Sequence, residues 1–138
     1  MKKKNNTLLV ISTSLIILLL IMPLIFTGSK RTDVYLTNYS ISSDGKIMTL
    51  NVSPSSSIGY IKSLKVKQDR DSKYITFYST FGLNNSLGSR NTFEIELNPS
   101  CKEIYFYKGD DEYMLVLQKN RDTWNSTGKI KKQDITLE

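Results

Sequence analysis

The amino-acid sequence predicts an all-β sandwich domain preceded by one N-terminal transmembrane helix. Three observations lead to this fold class. Phe93, Ile95 and Leu97 alternate with polar residues, which is the period of a strand with one buried face. Short apolar runs recur along residues 32–119 between clusters of Gly, Pro, Asn, Asp and Ser, the usual turn residues. Residues 8–26 carry no charged side chain, as expected for a segment inside a bilayer.

The N-terminal apolar stretch predicts a signal-anchor that crosses the membrane at about residues 8–26. As a helix, its nineteen residues rise about 28 Å, close to the ~30 Å hydrocarbon core of a bilayer. A buried core helix is disfavoured, because polar residues do not recur every three or four positions. A cleaved secretory signal is the alternative, since Pro23 interrupts the stretch and Thr27-Gly28-Ser29 offers small residues for cleavage. Three lysines precede the stretch, which favours a cytoplasmic N-terminus and a C-terminal domain outside the cytoplasm.

The chain after the anchor predicts strands throughout, each ended by a turn. Asp44-Gly45 supplies the positive φ of a tight hairpin turn, and Asn98-Pro99-Ser100 and Gly109-Asp110-Asp111 separate the later strands. The predicted strands cover 34–41, 46–52, 58–68, 73–81, 92–97, 103–108 and 113–119. We therefore divide the chain into a signal-anchor at 1–31, a sandwich at 32–119 and a loose polar tail at 120–138.

About seven short strands with a turn every 8–12 residues match an immunoglobulin or fibronectin-III-like sandwich. Three segments carry a resemblance to a protein family: 34–39 (VYLTNY), 74–82 (YITFYSTFG) and 103–106 (EIYF). In these segments the chain resembles small, uncharacterised envelope proteins of low-GC Gram-positive bacteria. The resemblance covers most of residues 33–119. It implies a bacterial, membrane-anchored or secreted sandwich domain, and it implies no activity.

Composition argues against an enzyme. The chain has no histidine and one cysteine, Cys101, which removes Ser-His-Asp and Cys-His catalysis and the usual zinc and copper sites. No glycine-rich phosphate loop is present, so we expect no cofactor. Asp110, Asp111 and Glu112 could bind Ca²⁺ weakly, but Ca²⁺ takes six to eight oxygen ligands. We therefore interpret these three residues as a hairpin turn. The net charge of +6 comes mainly from the flanks of the apolar stretch, so we expect no nucleic-acid partner.

Tyrosines and lysines on three strands form the candidate binding site. Where Ile104 and Phe106 point inward, Tyr105 and Tyr107 point outward, and the same parity turns other residues outward. The candidate partner-binding residues are Tyr74, Tyr78, Tyr105, Tyr107, Lys65 and Lys67. Exposed tyrosines edged by lysines suit a protein partner or an acidic polymer. The alternative is that tyrosine is simply a good strand former and needs no ligand.

These observations predict a non-catalytic binding or accessory module that a single membrane span tethers outside the cytoplasm. Its partners would be the membrane and an envelope protein or anionic polymer. Two alternatives stay open. One is an electrostatic binder of envelope polyanions, and the other is a secreted protein released by signal-peptide cleavage. The polyanion alternative uses Lys62, Lys65, Lys67, Arg70 and Lys73.

Overall fold

Two β-sheets make up most of the structure, a computed structural model that describes residues 10–20, 28–82, 84–127 and 130–132. The strands found in these residues are β1 (Lys30–Arg31), β2 (Val34–Ile41), β3 (Ile47–Pro54), β4 (Ile61–Asp69), β5 (Ser72–Ser79), β6 (Thr92–Glu96), β7 (Glu103–Gly109), β8 (Glu112–Asn120), β9 (Thr123–Ser126) and β10 (Ile130–Lys132). The seven predicted strands correspond to β2 through β8, so the all-β prediction is confirmed.

The N-terminal helix, α1, covers residues 10–20, and every side chain along it is exposed. The predicted span at 8–26 extends beyond α1 at both ends, onto residues that lie outside the described ones. Within the described ranges, the structure contains no helix with the length and hydropathy needed to cross a membrane.

The smaller sheet has the order β2-β3-β6 and is antiparallel. In the larger sheet, β5 pairs with β4 along one edge and with β7 and β1 along the other. The far side of β7 pairs with β8, whose outer edge carries β9 and β10. The β5–β7 pair is parallel, because the chain crosses through β6 in the other sheet between them. An immunoglobulin-type sandwich has two antiparallel sheets, so this pair departs from the predicted pattern.

The core lies between the two sheets and confirms the predicted alternation. Met48, Leu50 and Val52 of β3 are buried while the residues between them are more exposed. Phe77 of the larger sheet lies edge-to-face against Phe93 of the smaller sheet, with ring centres 5.8 Å apart. These contacts bury apolar area from both layers, which is the main stabilising term of a two-layer fold.

The segment after residue 120 contributes to the sheet and is not wholly a loose polar tail. β9 pairs with β8 in register, Lys119 opposite Trp124. Trp124 is buried in the core, and its carbonyl oxygen accepts a 2.6 Å hydrogen bond from the Tyr39 hydroxyl. A large indole fills the end of the core, so this part of the segment folds with the domain. Residues 128–129 and 133–138 of the predicted tail lie outside the described part.

The sheet also begins earlier than the predicted boundary at residue 32. β1 pairs with β5, with Lys30 opposite Tyr78 and Arg31 opposite Phe77. Arg31 is buried and makes a two-point ion pair with Asp33, Nε to Oδ1 at 2.9 Å and Nη2 to Oδ2 at 2.7 Å. Burial raises the pKa of the Asp33 carboxyl, but hydrogen bonds from Arg31 and the Ser56 amide outweigh it, so the pKa is lowered overall.

Candidate functional site

The outer face of the larger sheet brings together tyrosines and lysines from distant parts of the sequence. Lys67 on β4 lies opposite Tyr74 on β5, which lies opposite Tyr105 on β7, which lies opposite Leu115 on β8. Residues opposite each other on neighbouring strands share a face. We call this surface the tyrosine face, and define it as Lys30, Lys65, Lys67, Tyr74, Tyr78, Tyr105, Tyr107, Tyr113 and Leu115. The three strands that carry the predicted site residues therefore do lie in one sheet.

Two of the predicted contact residues, Tyr74 and Tyr105, are not exposed, which corrects the sequence prediction. Their exposed fractions are 4% and 3%. Their rings stack with centres 5.0 Å apart and planes 12° apart, and Tyr113 meets Tyr74 edge-on at 5.1 Å. The alternation of side chains along a strand correctly predicted that these residues point away from the core. It did not predict that rings on adjacent strands cover one another and form a second apolar cluster with Leu115.

A carboxylate holds the Tyr105 ring in place. The Tyr105 hydroxyl donates a 2.8 Å hydrogen bond to Glu103 Oε2, and the Ser72 hydroxyl donates to the same oxygen at 3.1 Å. Burial raises the pKa of Tyr105 strongly, and the hydrogen bond to Glu103 and its negative charge raise it further. The phenol therefore stays protonated and serves as a structural donor.

The accessible part of the tyrosine face is formed by its lysines and by three half-buried rings. Lys65 and Lys67 are exposed on β4, as predicted, while Tyr78, Tyr107 and Tyr113 are half-buried. The exposed Lys30 places its Nζ 5.3 Å from the centre of the Tyr107 ring, within reach of a cation–π interaction. Rows of half-buried aromatic rings beside ammonium groups can hold an acidic or polar partner by contact area and charge.

Sequence reasoning missed three members of this face, Lys30, Tyr113 and Leu115. Tyr113 stands two residues before Leu115, and its ring lies edge-to-face 5.5 Å from Tyr107. The tight turn between β7 and β8 could have predicted this neighbour, because the register of a hairpin determines which residues lie opposite each other. Lys30 was assigned to the membrane flank, and only its pairing opposite Tyr78 places it here.

The five cations of the polyanion alternative do not form one patch. Lys65 and Lys67 belong to the tyrosine face, whereas Lys62 lines an open groove of about 510 Å³ between β4 and β6, beside Arg90 and Phe93. Lys73 lines a second groove of about 300 Å³ along the same side of the sandwich. Arg70 lies in the β4–β5 turn with a φ of 52°. The predicted cationic set is therefore divided between two surfaces and a turn.

Other residues singled out from the sequence have structural roles in the described part of the chain. Cys101 is buried, and burial raises the pKa of its thiol, which makes it a poor nucleophile. Asp110 and Asp111 have φ values of 47° and 58°, the backbone of a tight hairpin turn. Among the residues that the structure describes, no cluster of three or more His, Cys, Asp or Glu side chains could hold a metal ion.

Comparisons with protein families, with curated proteins and with solved structures gave no match for this chain.

Proposed function

We propose that the protein is a non-catalytic binding module, tethered to the cell membrane by residues 8–26, with its β-domain outside the cytoplasm. The observation that carries the binding proposal is the tyrosine face, where Lys30, Lys65 and Lys67 stand around half-buried aromatic rings on one sheet. An aromatic core with a polar rim is the composition of protein interaction surfaces. We infer that the partner is an envelope protein with acidic contact residues.

The tethering proposal is supported by the sequence of residues 8–26 and by α1. The apolar side chains of α1 are exposed along its whole length, and water is an unfavourable environment for such a surface. A core helix would instead bury one face. The proposed immunoglobulin-like fold is meant only in the broad sense that a small sheet, β2-β3-β6, packs against a larger one. Sandwiches of this kind present sheet faces and end loops for binding.

Charge reversal on the tyrosine face tests the binding proposal. The double variant Lys65→Glu/Lys67→Glu changes two exposed side chains and leaves the aromatic cluster in place. The matched control is Lys46→Glu/Lys102→Glu, which changes two exposed lysines away from this face by the same total charge. We expect crosslinking in intact cells to capture a protein with the wild type and the control but not with the double variant. Equal capture by all three chains would refute the proposal.

A second candidate partner is an anionic envelope polymer. It is favoured by the spacing of Lys65 and Lys67, which lie on one face of an edge strand about 7 Å apart, the repeat of two strand residues. Such binding would weaken steeply with salt, since the Debye length falls from about 10 Å at 0.1 M to about 3 Å at 1 M. Retention on immobilised polyphosphate that is unchanged between these salt concentrations would eliminate this candidate.

Signal-peptide cleavage would release the same folded domain. Mass spectrometry of the membrane fraction and the medium decides between the two forms. The anchored form retains residues 1–31, while a chain in the medium that begins near Ser29 or Lys30 would establish secretion.

A further inference from the structure

The chain joins the sandwich at one end, which we call the proximal end. The Ser79 amide donates a 2.9 Å hydrogen bond to the Ser29 carbonyl, and the hydroxyls of the two serines lie 3.0 Å apart. Gly28 packs so closely on the Ser79 carbonyl that a Cβ atom would have no room. The chain therefore packs against the sandwich from residue 28 onward.

The apolar stretch ends at Phe26, which leaves Thr27 alone before Gly28. Two residue steps span at most about 7 Å, even when fully extended. The interfacial layer on each side of a bilayer is roughly 5–8 Å thick, from a hydrocarbon core of ~30 Å and a total of ~40–45 Å. If residues 8–26 span the membrane, as proposed above, this connection is too short to hold the proximal end clear of the lipid headgroups.

The proximal end exposes the side chains that such a layer favours. Ile58 and Tyr60 precede β4, with exposed fractions of 61% and 39%, and Phe81 and Leu87 follow β5, with 46% and 81%. The Thr80 amide donates a 3.0 Å hydrogen bond to the Tyr60 carbonyl, so these two loops lie side by side. We call Ile58, Tyr60, Phe81 and Leu87 the loop cluster. Apolar and tyrosine side chains together are typical of membrane interfaces.

Cations lie beside the loop cluster. Arg90 is exposed, and its amide donates a 2.8 Å hydrogen bond to the Ile61 carbonyl, which places it at the start of β4. Lys62 of β4 lines the same groove as Arg90. The acidic turn at Asp110 and Asp111 is also at the proximal end, but it follows β7, on the flank away from β4. The cationic flank is therefore the one suited to anionic headgroups.

We propose that the loop cluster docks into the headgroup layer of the membrane that anchors the chain, with Arg90 contacting anionic phospholipid. The docked sandwich has a preferred orientation, since one end is inserted and the strands stand away from the bilayer. Side chains in such contacts lie about 5–10 Å into the boundary between headgroups and acyl chains. This inference rests on the proposed membrane anchor and adds an interaction surface to it.

Depth-dependent fluorescence quenching on the full-length chain tests this docking. Leu87→Cys places a thiol in the loop cluster, and Ser43→Cys places one in the exposed turn between β2 and β3, at the opposite end. The native Cys101 is buried, so the wild type measures background labelling. Each variant is labelled with the fluorophore NBD and reconstituted into vesicles of equimolar phosphatidylcholine and phosphatidylglycerol that contain a spin-labelled phosphatidylcholine.

We expect quenching several-fold stronger at position 87 than at position 43, and weaker quenching at 87 when Arg90→Gln is added. Equal quenching at the two positions, in protein that floats with the vesicles, would overturn the docking and leave the anchor intact. Protein that does not float with the vesicles would overturn the anchor and the docking together. Unchanged quenching in the Arg90→Gln variant would overturn the contact with anionic lipid.

Discussion

Replacing Tyr105 by alanine is expected to destabilise the domain by about 3 kcal/mol, although strand parity alone would make this position harmless. The ring is 3% exposed, stacks on Tyr74 and donates to Glu103. Truncation of a buried aromatic ring costs about 3–5 kcal/mol, and the aromatic pair adds about 0.5–1.5 kcal/mol. We take the lower end because water can enter a gap on an outer sheet face. The corresponding fall in melting temperature is roughly 12–24 °C.

Trp124, the single tryptophan, is buried and reports unfolding through its fluorescence. Tyr105→Phe keeps the ring and removes only the hydrogen bond, so we expect a loss of about 1 kcal/mol. Tyr107→Ala at a half-buried position on the same strand is the matched control, also expected to cost about 1 kcal/mol. If the free energy of unfolding of Tyr105→Ala lies within 1 kcal/mol of the wild-type value, the Tyr105 ring is not buried against Tyr74. The exposed position predicted from the sequence would then be correct.

The pKa of Tyr105 and the burial of Trp124 and Cys101 can each be tested in solution. The raised pKa of Tyr105 means that the unfolded state loses its phenolic proton first as pH rises above about 10, so stability should fall there. Urea titrations at about pH 8 and pH 11 should show a smaller fall for Tyr105→Phe, and an equal fall would contradict the assignment. Trp124→Ala should cost about 3 kcal/mol or more in circular dichroism melts, whereas a loose tail would give no change. The Cys101 thiol should react with a disulfide reagent only in denaturant, while Ser43→Cys reacts at once.

Much of the fold was predictable because local pattern controls it. Alternation of apolar residues assigned the inward face of β3 and β6, and turn residues set the limits of β2 through β8 to within a few positions. β1, β9 and β10 were not predicted, because KR, TWNS and IKK are too short to show an alternation of apolar and polar residues. Such short segments become strands only where a neighbouring edge offers hydrogen-bond partners, here β5 and β8.

The candidate site was predictable in its composition and not in its accessibility. The sequence by itself determined that Tyr74, Tyr105, Lys65 and Lys67 point away from the core, because side chains on a strand alternate with a period of two. Tertiary structure decided that β5 and β7 pair in parallel, which lays one tyrosine ring on the other and leaves the lysines outside. The direction of a side chain is a property of its own strand. Its exposure depends on which strand lies beside it, and that is settled by long-range pairing.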